Sequence, residues 1–372
     1  MISGIQILSE LIIAGRDAMY PLGEAQKPWP ENQWYIAATT QEVGPGTLLG
    51  RRLLGKRVVL FRDTAGKAHA LSGLCPHRMM PMELGKHLGD LIECAYHGLV
   101  FDRNGACAAA PTSRSVPGCS LTRYPLAETG PLLWIWMGDP DMADSVPLPR
   151  TDFVGIGVPG WRVDVAGYFH LKARYTLLVD NLFDLSHLSY IHASIVGDPK
   201  NNTLPLEEAA FVEDDGRTFF QRVRDDFSSQ DDYHRFLDPR MGERMCAGFQ
   251  TEMIAPGLIR AGDVHWCGPD RRTAPVGYSN FNHAFTPESE HSTHYWTFLS
   301  RNYDTSNDMT SARQVEQNNA VVAQDIDALE AIETALQQGN LPPEISMKQD
   351  LGGMRARLRL IQMINREAAA QA

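Results

Sequence analysis

From Trp34 to about Asp144 the apolar positions fall in short β-branched and aromatic runs separated by turn residues. Arg57–Arg62 reads RVVLFR and is closed by Asp-Thr-Ala-Gly-Lys, a turn sequence, before Ala68–Ser72. Leu91–Cys94, Leu99–Asp102 and the aromatic run Leu132–Met137 (LLWIWM) continue the pattern, and Arg103-Asn-Gly-Ala106 supplies a further hairpin turn. Strands this short and this dense predict a small antiparallel all-β domain whose loop tips can carry ligands. Val146-Pro-Leu-Pro149 and Pro159-Gly160 mark its end. Beyond them, strand-like segments at Thr218–Val223, Gly277–Phe285 and His294–Arg301 alternate with helical periodicity over Ser311–Gln338 and Leu351–Glu367. This half is expected to be α+β, an antiparallel sheet with helices laid against it. The organisation expected is a segment over 1–30 that packs on the second domain, an all-β domain over 31–145 and the α+β domain over 146–372. Ile5, Leu8, Leu11 and Ile12 share a stripe, so the first residues predict an amphipathic helix.

Composition narrows the function classes. A chain of 372 residues suits two domains, and 43% hydrophobic with 21% charged residues is ordinary for a globular protein. The net charge of -11 argues against nucleic acid as a partner. No run reaches the ~18 apolar residues of a membrane span. The first residues lack a basic leader and carry Glu10 within their apolar stretch, unlike a secretory signal, so a cytoplasmic location is expected. In that setting Cys107, Cys119, Cys246 and Cys267, which show no paired spacing, are expected to be reduced and mostly buried.

The chemistry concentrates in two places. Cys75-Pro-His77-Arg is followed, after sixteen intervening residues, by Cys94-Ala-Tyr-His97-Gly. Each arm offers one thiolate and one imidazole. Two histidines in place of two cysteines on one iron is the ligand set of a Rieske [2Fe–2S] cluster. A tetrahedral zinc site could use the same four side chains, but the Pro-His-Arg and Tyr-His-Gly contexts, with Gly85, Gly89 and Gly105, favour the cluster.

The second place is residues 181–192, with the spacing N-x-x-D-x-x-H-x-x-x-x-H over Asn181, Asp184, His187 and His192. Asp184 and His187 would share a helix face. His187 and His192 would lie about 140° apart on an ideal helix, so they can share a metal only if the helix bulges or ends between them. Two histidines need a carboxylate to complete the facial triad that binds non-haem Fe(II) and leaves positions open. In Val321–Glu330 the apolar stripe runs through Val321, Leu329, Ile332 and Leu336; Asp325 falls on it, while Asp327 and Glu333 lie off it. Asp325 is the expected third ligand, because an aspartate facing a core needs a charge partner or a metal.

Carrying both motifs, the chain resembles the oxygenase components of Rieske non-haem iron oxygenases over nearly its whole length. Thr286-Pro-Glu-Ser-Glu-His-Ser-Thr-His-Tyr-Trp296, the late Asp325–Glu330 segment and the C-terminal helix resemble the vanillate O-demethylase and dicamba monooxygenase branch. The resemblance implies an N-terminal Rieske domain and a helix-grip-like catalytic domain. It also implies a homotrimer fed with NAD(P)H-derived electrons by a separate reductase, through a ferredoxin in some members. Asp184 would then bridge His97 of one subunit to His187 of its neighbour, with Asn181 supporting the iron. His283 aligns with a substrate-contacting histidine, and Phe281 and Trp296 join it as expected pocket residues. Ala95 and Leu99 depart from the family's usual proline and tryptophan; neither is a ligand.

The activity implied is oxidation of a small aromatic by O2, by O- or N-dealkylation or hydroxylation. The alternatives are a ring-dihydroxylating or diaryl-ether-cleaving dioxygenase and, from another class, a Rieske electron carrier. Arg51, Arg52, Lys56 and Arg57 form a basic cluster that suits either a docking patch for an acidic redox partner or a solvated turn. Arg260 and Arg301 are both candidates to meet a substrate carboxylate.

Overall fold

A computed structural model describes residues 28–196, 218–228, 244–267, 275, 277–339, 341–342, 344–345, 347 and 350–371. The expected helix at Ile5–Ile12 and the side chain of Cys267 lie outside the described residues. The described residues divide into two compact units, one within Glu31–Pro149 with Thr286–Ser289, the other within Arg150–Phe285 and Glu290–Ala372; the expected packing of the 1–30 segment lies outside the described residues.

The first unit is all β. Strands β1 (Trp34–Thr39), β11 (Leu132–Trp136) and β10 (Leu126–Thr129) form one sheet; β2 (Leu49–Leu53), β3 (Lys56–Arg62), β4 (Ala68–Ser72) and β9 (Arg123–Tyr124) form a second; β5 (Lys86–His87), β6 (Leu91–Glu93), β7 (Val100–Asp102) and β8 (Cys107–Ala109) form a third. β1 and β11 are buried on both faces, which is why LLWIW reads as a continuous apolar run and not as an alternation. The β3–β4 hairpin is set by Asp63, whose Oδ1 accepts from Ala65 N and Lys67 N at 3.0 and 2.8 Å while Gly66 takes φ 81°. Thr286–Ser289 belongs here because Thr286 Oγ1 donates to Ile36 O at 2.6 Å and Leu54 N donates to Pro287 O at 2.7 Å. Nothing in the local sequence announces that attachment.

The second unit carries a six-stranded antiparallel sheet in the order β12-β17-β16-β15-β14-β13, built from β12 (Arg162–Leu171), β13 (Thr218–Ser228), β14 (Arg244–Ala255), β15 (Leu258–Cys267), β16 (Gly277–Ser289) and β17 (Ser292–Arg301). Among the described residues, three helices of nine residues or more accompany it: α1 (Tyr175–Phe183), α2 (Asp308–Gln337) and α3 (Leu351–Gln371). α2 starts where Asn307 Oδ1 accepts from Met309 N and Thr310 N. α1 and α3 approach closely at Gly352 and Gly353, where an added Cβ would come within 3.1 Å of Phe183 O and 2.9 Å of Asp180 Oδ1. Arg357 on α3 grips Asp180 with Nε and Nη2.

α2 corrects one expectation. Its buried residues are Ser311, Gln314, Asn318, Val322, Asp325, Leu329 and Glu333, a stripe more polar than apolar. Asp325 and Leu329 lie on it as expected, but Ile332 is 44% exposed and Glu333 is 1% exposed. Glu333 is inside because Arg174 meets it with Nε and Nη2 at 2.6 and 2.9 Å. A stripe drawn through hydrophobic positions misses a face held by charge and amide pairs. Among the described residues no helix is long and apolar enough to cross a membrane.

Candidate metal centres and substrate cavity

The two arms of the first motif are built alike. Met79 N donates to Cys75 O at 2.9 Å and Cys75 N to Met80 O at 2.9 Å; in the second arm Gly98 N donates to Cys94 O at 3.1 Å and Cys94 N to Leu99 O at 2.8 Å. Each loop therefore turns within the four residues after its cysteine, and each needs a left-handed residue, Gly98 at φ 71° and Met79 at φ 54°. Methionine at such an angle carries backbone strain, which the paired turn sustains. The result brings the four candidate ligand side chains together. Cys75 and Cys94 are 1% and 2% exposed and neighbour one another within an apolar cluster that includes Phe61, Ile92, Leu99 and Phe101. Burial pushes the Cys75 thiol up, the direction a metal would reverse. The rings of His77 and His97 lie 4.5 Å apart on the outer side, His77 exposed and His97 half-buried. Two sulfurs inside and two imidazoles outside match an asymmetric iron–sulfur cluster. Leu99, one of the departures from the family pattern, simply joins the apolar support.

The basic cluster nearby is largely consumed. Arg51 pairs with Glu42 and Arg57 with Glu83, while Lys56 Nζ donates to Met137 O at 3.2 Å and Arg52 Nε to Gly55 O at 3.1 Å. These contacts support the structural reading of those cations over a docking patch.

In the second unit, α1 ends at Asp184, whose backbone is extended (φ -96°, ψ 103°), and a single 3-10 turn spans His187–Ser189 before a short helix at Ala193–Val196. The helix therefore ends before the histidines; no bulge is needed, and Asp184 and His187 do not share a helix face. That break places His187, His192 and Asp325 with ligand atoms all within 4.8 Å of one another. Asp325 Oδ1 is the focus, 3.0 Å from His192 Nε2, 3.5 Å from His187 Nε2 and 3.0 Å from Asn181 Nδ2. His192 is fully buried, and its Nδ1–H donates to Gln324 Oε1 at 2.8 Å. The proton on Nδ1 leaves Nε2 with a lone pair aimed at a carboxylate, which is favourable only with a cation between them or an added proton. The pKa directions agree. Burial works against charge at both groups, yet the mutual contact raises His192 and, with His187, holds Asp325 far below the usual carboxylate range. His187 Nδ1 is buried without a hydrogen-bond partner, with Asp184 Oδ2 4.0 Å away and Asp184 Oδ1 held by Ser186 N and Oγ at 2.7 and 2.6 Å. Two imidazoles and one carboxylate converging on a small space fit a divalent iron.

An open cavity adjoins this centre, lined by Asn181, His187 and Asp325 and by Leu182, Leu185, Leu188, Phe249, Phe281, Val321 and Val322, with Gln250, His283, Gln317 and Asn318 as polar members. Phe281 and His283, two of the expected pocket residues, line this cavity. His283 Nδ1 is 2.6 Å from Tyr295 Oη, and burial pushes its imidazole down to about 4, so it is neutral near pH 7. Trp296 does not line this cavity. It follows Tyr295 on β17 and so faces the other side of the sheet, against Tyr168 and His294. Neither candidate arginine lines it: Arg260 pairs with Glu252 at 2.9 Å, and Arg301 is buried against Asp164, Gln314 and Ser311. Gln324, Tyr295 and Phe249 were missed in the sequence, which has no local signal for a residue that acts through a distant partner.

Comparisons with known proteins agree with both halves. Residues 33–125 match the family model of the Rieske [2Fe-2S] domain, and residues 171–366 that of the vanillate O-demethylase oxygenase C-terminal domain. The toluene-4-sulfonate monooxygenase system iron-sulfur subunit of Comamonas testosteroni is 31% identical, over 90% of this chain and 97% of its own length. The dicamba O-demethylase oxygenase component of Stenotrophomonas maltophilia is 33% identical, over 81% and 87%. The crystal structure of dicamba monooxygenase bound to dicamba superimposes with a TM-score of 0.77 at 26% identity, covering 91% of this chain and 98% of that one. A free-standing electron carrier has no use for the second matched domain. The chain belongs to the Rieske non-haem iron oxygenases, as the oxygenase component of a monooxygenase system that works with a [2Fe–2S] cluster, a mononuclear iron and electrons from a separate reductase.

Proposed function

We propose that this oxygenase removes an alkyl group from oxygen or nitrogen on a small substituted aromatic, or hydroxylates it, with Cys75, His77, Cys94 and His97 holding the cluster and His187, His192 and Asp325 the iron. The observation that carries the reading is the cavity itself: His187 and Asp325 of the three-residue centre, with His192 buried behind them, face a cavity whose other walls are mostly apolar. When bound, the cluster and iron supply stepwise reductive activation of dioxygen. The chain's own residues do the rest. Phe281, Phe249 and the leucines hold an aromatic ring against Asn181 and Asp325 and exclude water around it. His283, neutral and braced by Tyr295, offers one uncharged hydrogen-bonding edge. Asp184, beside the unpartnered Nδ1 of His187, is the conduit for protons and, across a subunit boundary of a homotrimer, for electrons from His97 of the neighbouring copy.

For an O-methyl substrate the balance is one O2, two electrons and two protons, giving the phenol, formaldehyde and water. NADH is the source of those electrons through a reductase, with or without a ferredoxin between, in the cytoplasm. Relatives act on dicamba and toluene-4-sulfonate by name, which makes methoxy-, N-alkyl- and phenoxy-aromatics the panel to test. The purified holoenzyme with a generic reductase should couple NADH oxidation to aldehyde release on at least one of them. A cis-diol product would overturn dealkylation in favour of dihydroxylation.

A further inference from the structure

Cys107 and Cys119 lie outside every function assigned so far, and the backbone sets them face to face. Ala106 and Ser120 form an isolated antiparallel bridge, with Leu121 N donating to Gly105 O at 2.8 Å and Cys107 N to Cys119 O at 3.3 Å. Stepping one residue outward along that bridge makes Cys107 and Cys119 directly opposed, with side chains on one face. One backbone hydrogen bond joins the two residues, and opposed antiparallel residues have Cα atoms about 4.5–5.5 Å apart, inside the roughly 4.4–6.8 Å that a disulfide spans. Both cysteines are free, only half-buried, and close enough to perturb one another. The segment between them, residues 111–118, is exposed throughout.

We propose that Cys107 and Cys119 are a redox-active dithiol that closes to a disulfide when the protein meets hydrogen peroxide. The steps balance. One thiol loses its proton, its sulfur attacks a peroxide oxygen, and the O–O bond breaks to leave a sulfenic acid and a hydroxide that takes up that proton as water. The second thiol then displaces the hydroxyl, forming the S–S bond and a second water; the two sulfurs together give up the two electrons that reduce the peroxide. An oxygenase that hands electrons to dioxygen is itself a source of this oxidant whenever reduction runs without substrate oxidation.

The position gives the bond a consequence. Both cysteines pack on the apolar cluster that contains Cys75 and Cys94, and Pro111 lies against Gly98, where an added Cβ would come within 3.5 Å of its ring. Closing the bond therefore fixes the loop that rests on the turn after His97. Burial and the neighbouring sulfur push the Cys107 thiol up, so closure is slow near neutrality and quickens as the pH rises.

The test uses the holoenzyme, exposed to hydrogen peroxide, alkylated, and digested with trypsin without reduction. Cleavage after Arg103, Arg114 and Arg123 places the two cysteines on separate peptides, 104–114 and 115–123. The expected product is these two peptides joined, lighter by two hydrogens than their sum, reversed by dithiothreitol and absent from Cys119→Ser. It should form about tenfold faster for each unit of pH below the thiol pKa, while the cluster absorbance is retained. Thiols that stay alkylatable under excess peroxide would overturn the proposal. So would a sulfinic acid at Cys107 without the cross-link, or a disulfide found only between Cys75 and Cys94 after bleaching.

Discussion

Gln324→Leu tests how the iron site is prepared. In the wild type the Gln324 carbonyl accepts the Nδ1 proton of a fully buried His192 at 2.8 Å, which fixes the tautomer with Nε2 free to ligate. Leucine keeps the bulk and removes the acceptor. The buried N–H then costs about 1–3 kcal/mol if it stays on Nδ1, or the proton moves to Nε2 and must be displaced before a metal binds. Either route predicts Fe(II) affinity weaker by roughly 10–100-fold, the range typical of residues that orient a ligating histidine. Gln324→Glu keeps an acceptor at the same distance and should bind within a few-fold of wild type. The assay is competition for Fe(II) against a coloured chelator, with cluster absorbance as an internal control for folding. Wild-type affinity in the leucine variant would refute the argument that this hydrogen bond prepares His192.

Three further outcomes follow from other contacts. Asp184→Ala should leave both metals largely bound, by iron analysis, while turnover falls at least ~100-fold; retained turnover would remove Asp184 from the pathway. Phe281→Ala should raise KM for a small aromatic by about tenfold with kcat changed less, since it deletes part of an apolar wall. Glu333→Gln should lower stability by about 3 kcal/mol, because Arg174 is left partly unpaired in a buried site. In the wild type, burial raises the Glu333 carboxyl, but Arg174, Gln337 and His291 outweigh it and hold it at about 2, against an ordinary 4.5. A depressed carboxyl stabilises the fold above its unfolded value and loses that contribution as the pH falls from about 4.5 towards 2. Acid unfolding followed by circular dichroism should therefore be shallower in that window for the variant than for wild type.

What the sequence made legible was chemistry carried by short spacings. The C-x-H and C-x-x-H arms place their thiols and imidazoles by four-residue turns that are local in the chain, so the motif nearly is the structure. His187 and His192 were legible as a pair that needs a break in the helix, but the place of that break, before both histidines, was not. At the helix end Ser186 N donates to the Asp184 carboxylate, and Thr251, far along the chain, donates its Oγ1 to Leu182 O at 3.2 Å. Asp325 emerged from an apolar stripe that only partly exists, since Val322 and Leu329 are buried with it but Ile332 is not. Glu333 was misplaced because its burial depends on Arg174, distant in sequence. Trp296 was misplaced because strand alternation decides the face, and a one-residue difference from Tyr295 reverses it. The opposed Cys107 and Cys119 were invisible as a pair because the bridge at Ala106 and Ser120 joins segments with no shared pattern.

The claim on which everything rests is that one chain holds a third iron at His187, His192 and Asp325 beside the two of the cluster. Iron and acid-labile sulfide should be measured on the wild type and on Asp325→Ala, with cluster absorbance recorded for both. The account predicts about three irons and two sulfides per wild-type chain, and about two irons with an unchanged cluster spectrum in the variant. Two irons in an active wild type, or three in Asp325→Ala, would contradict it.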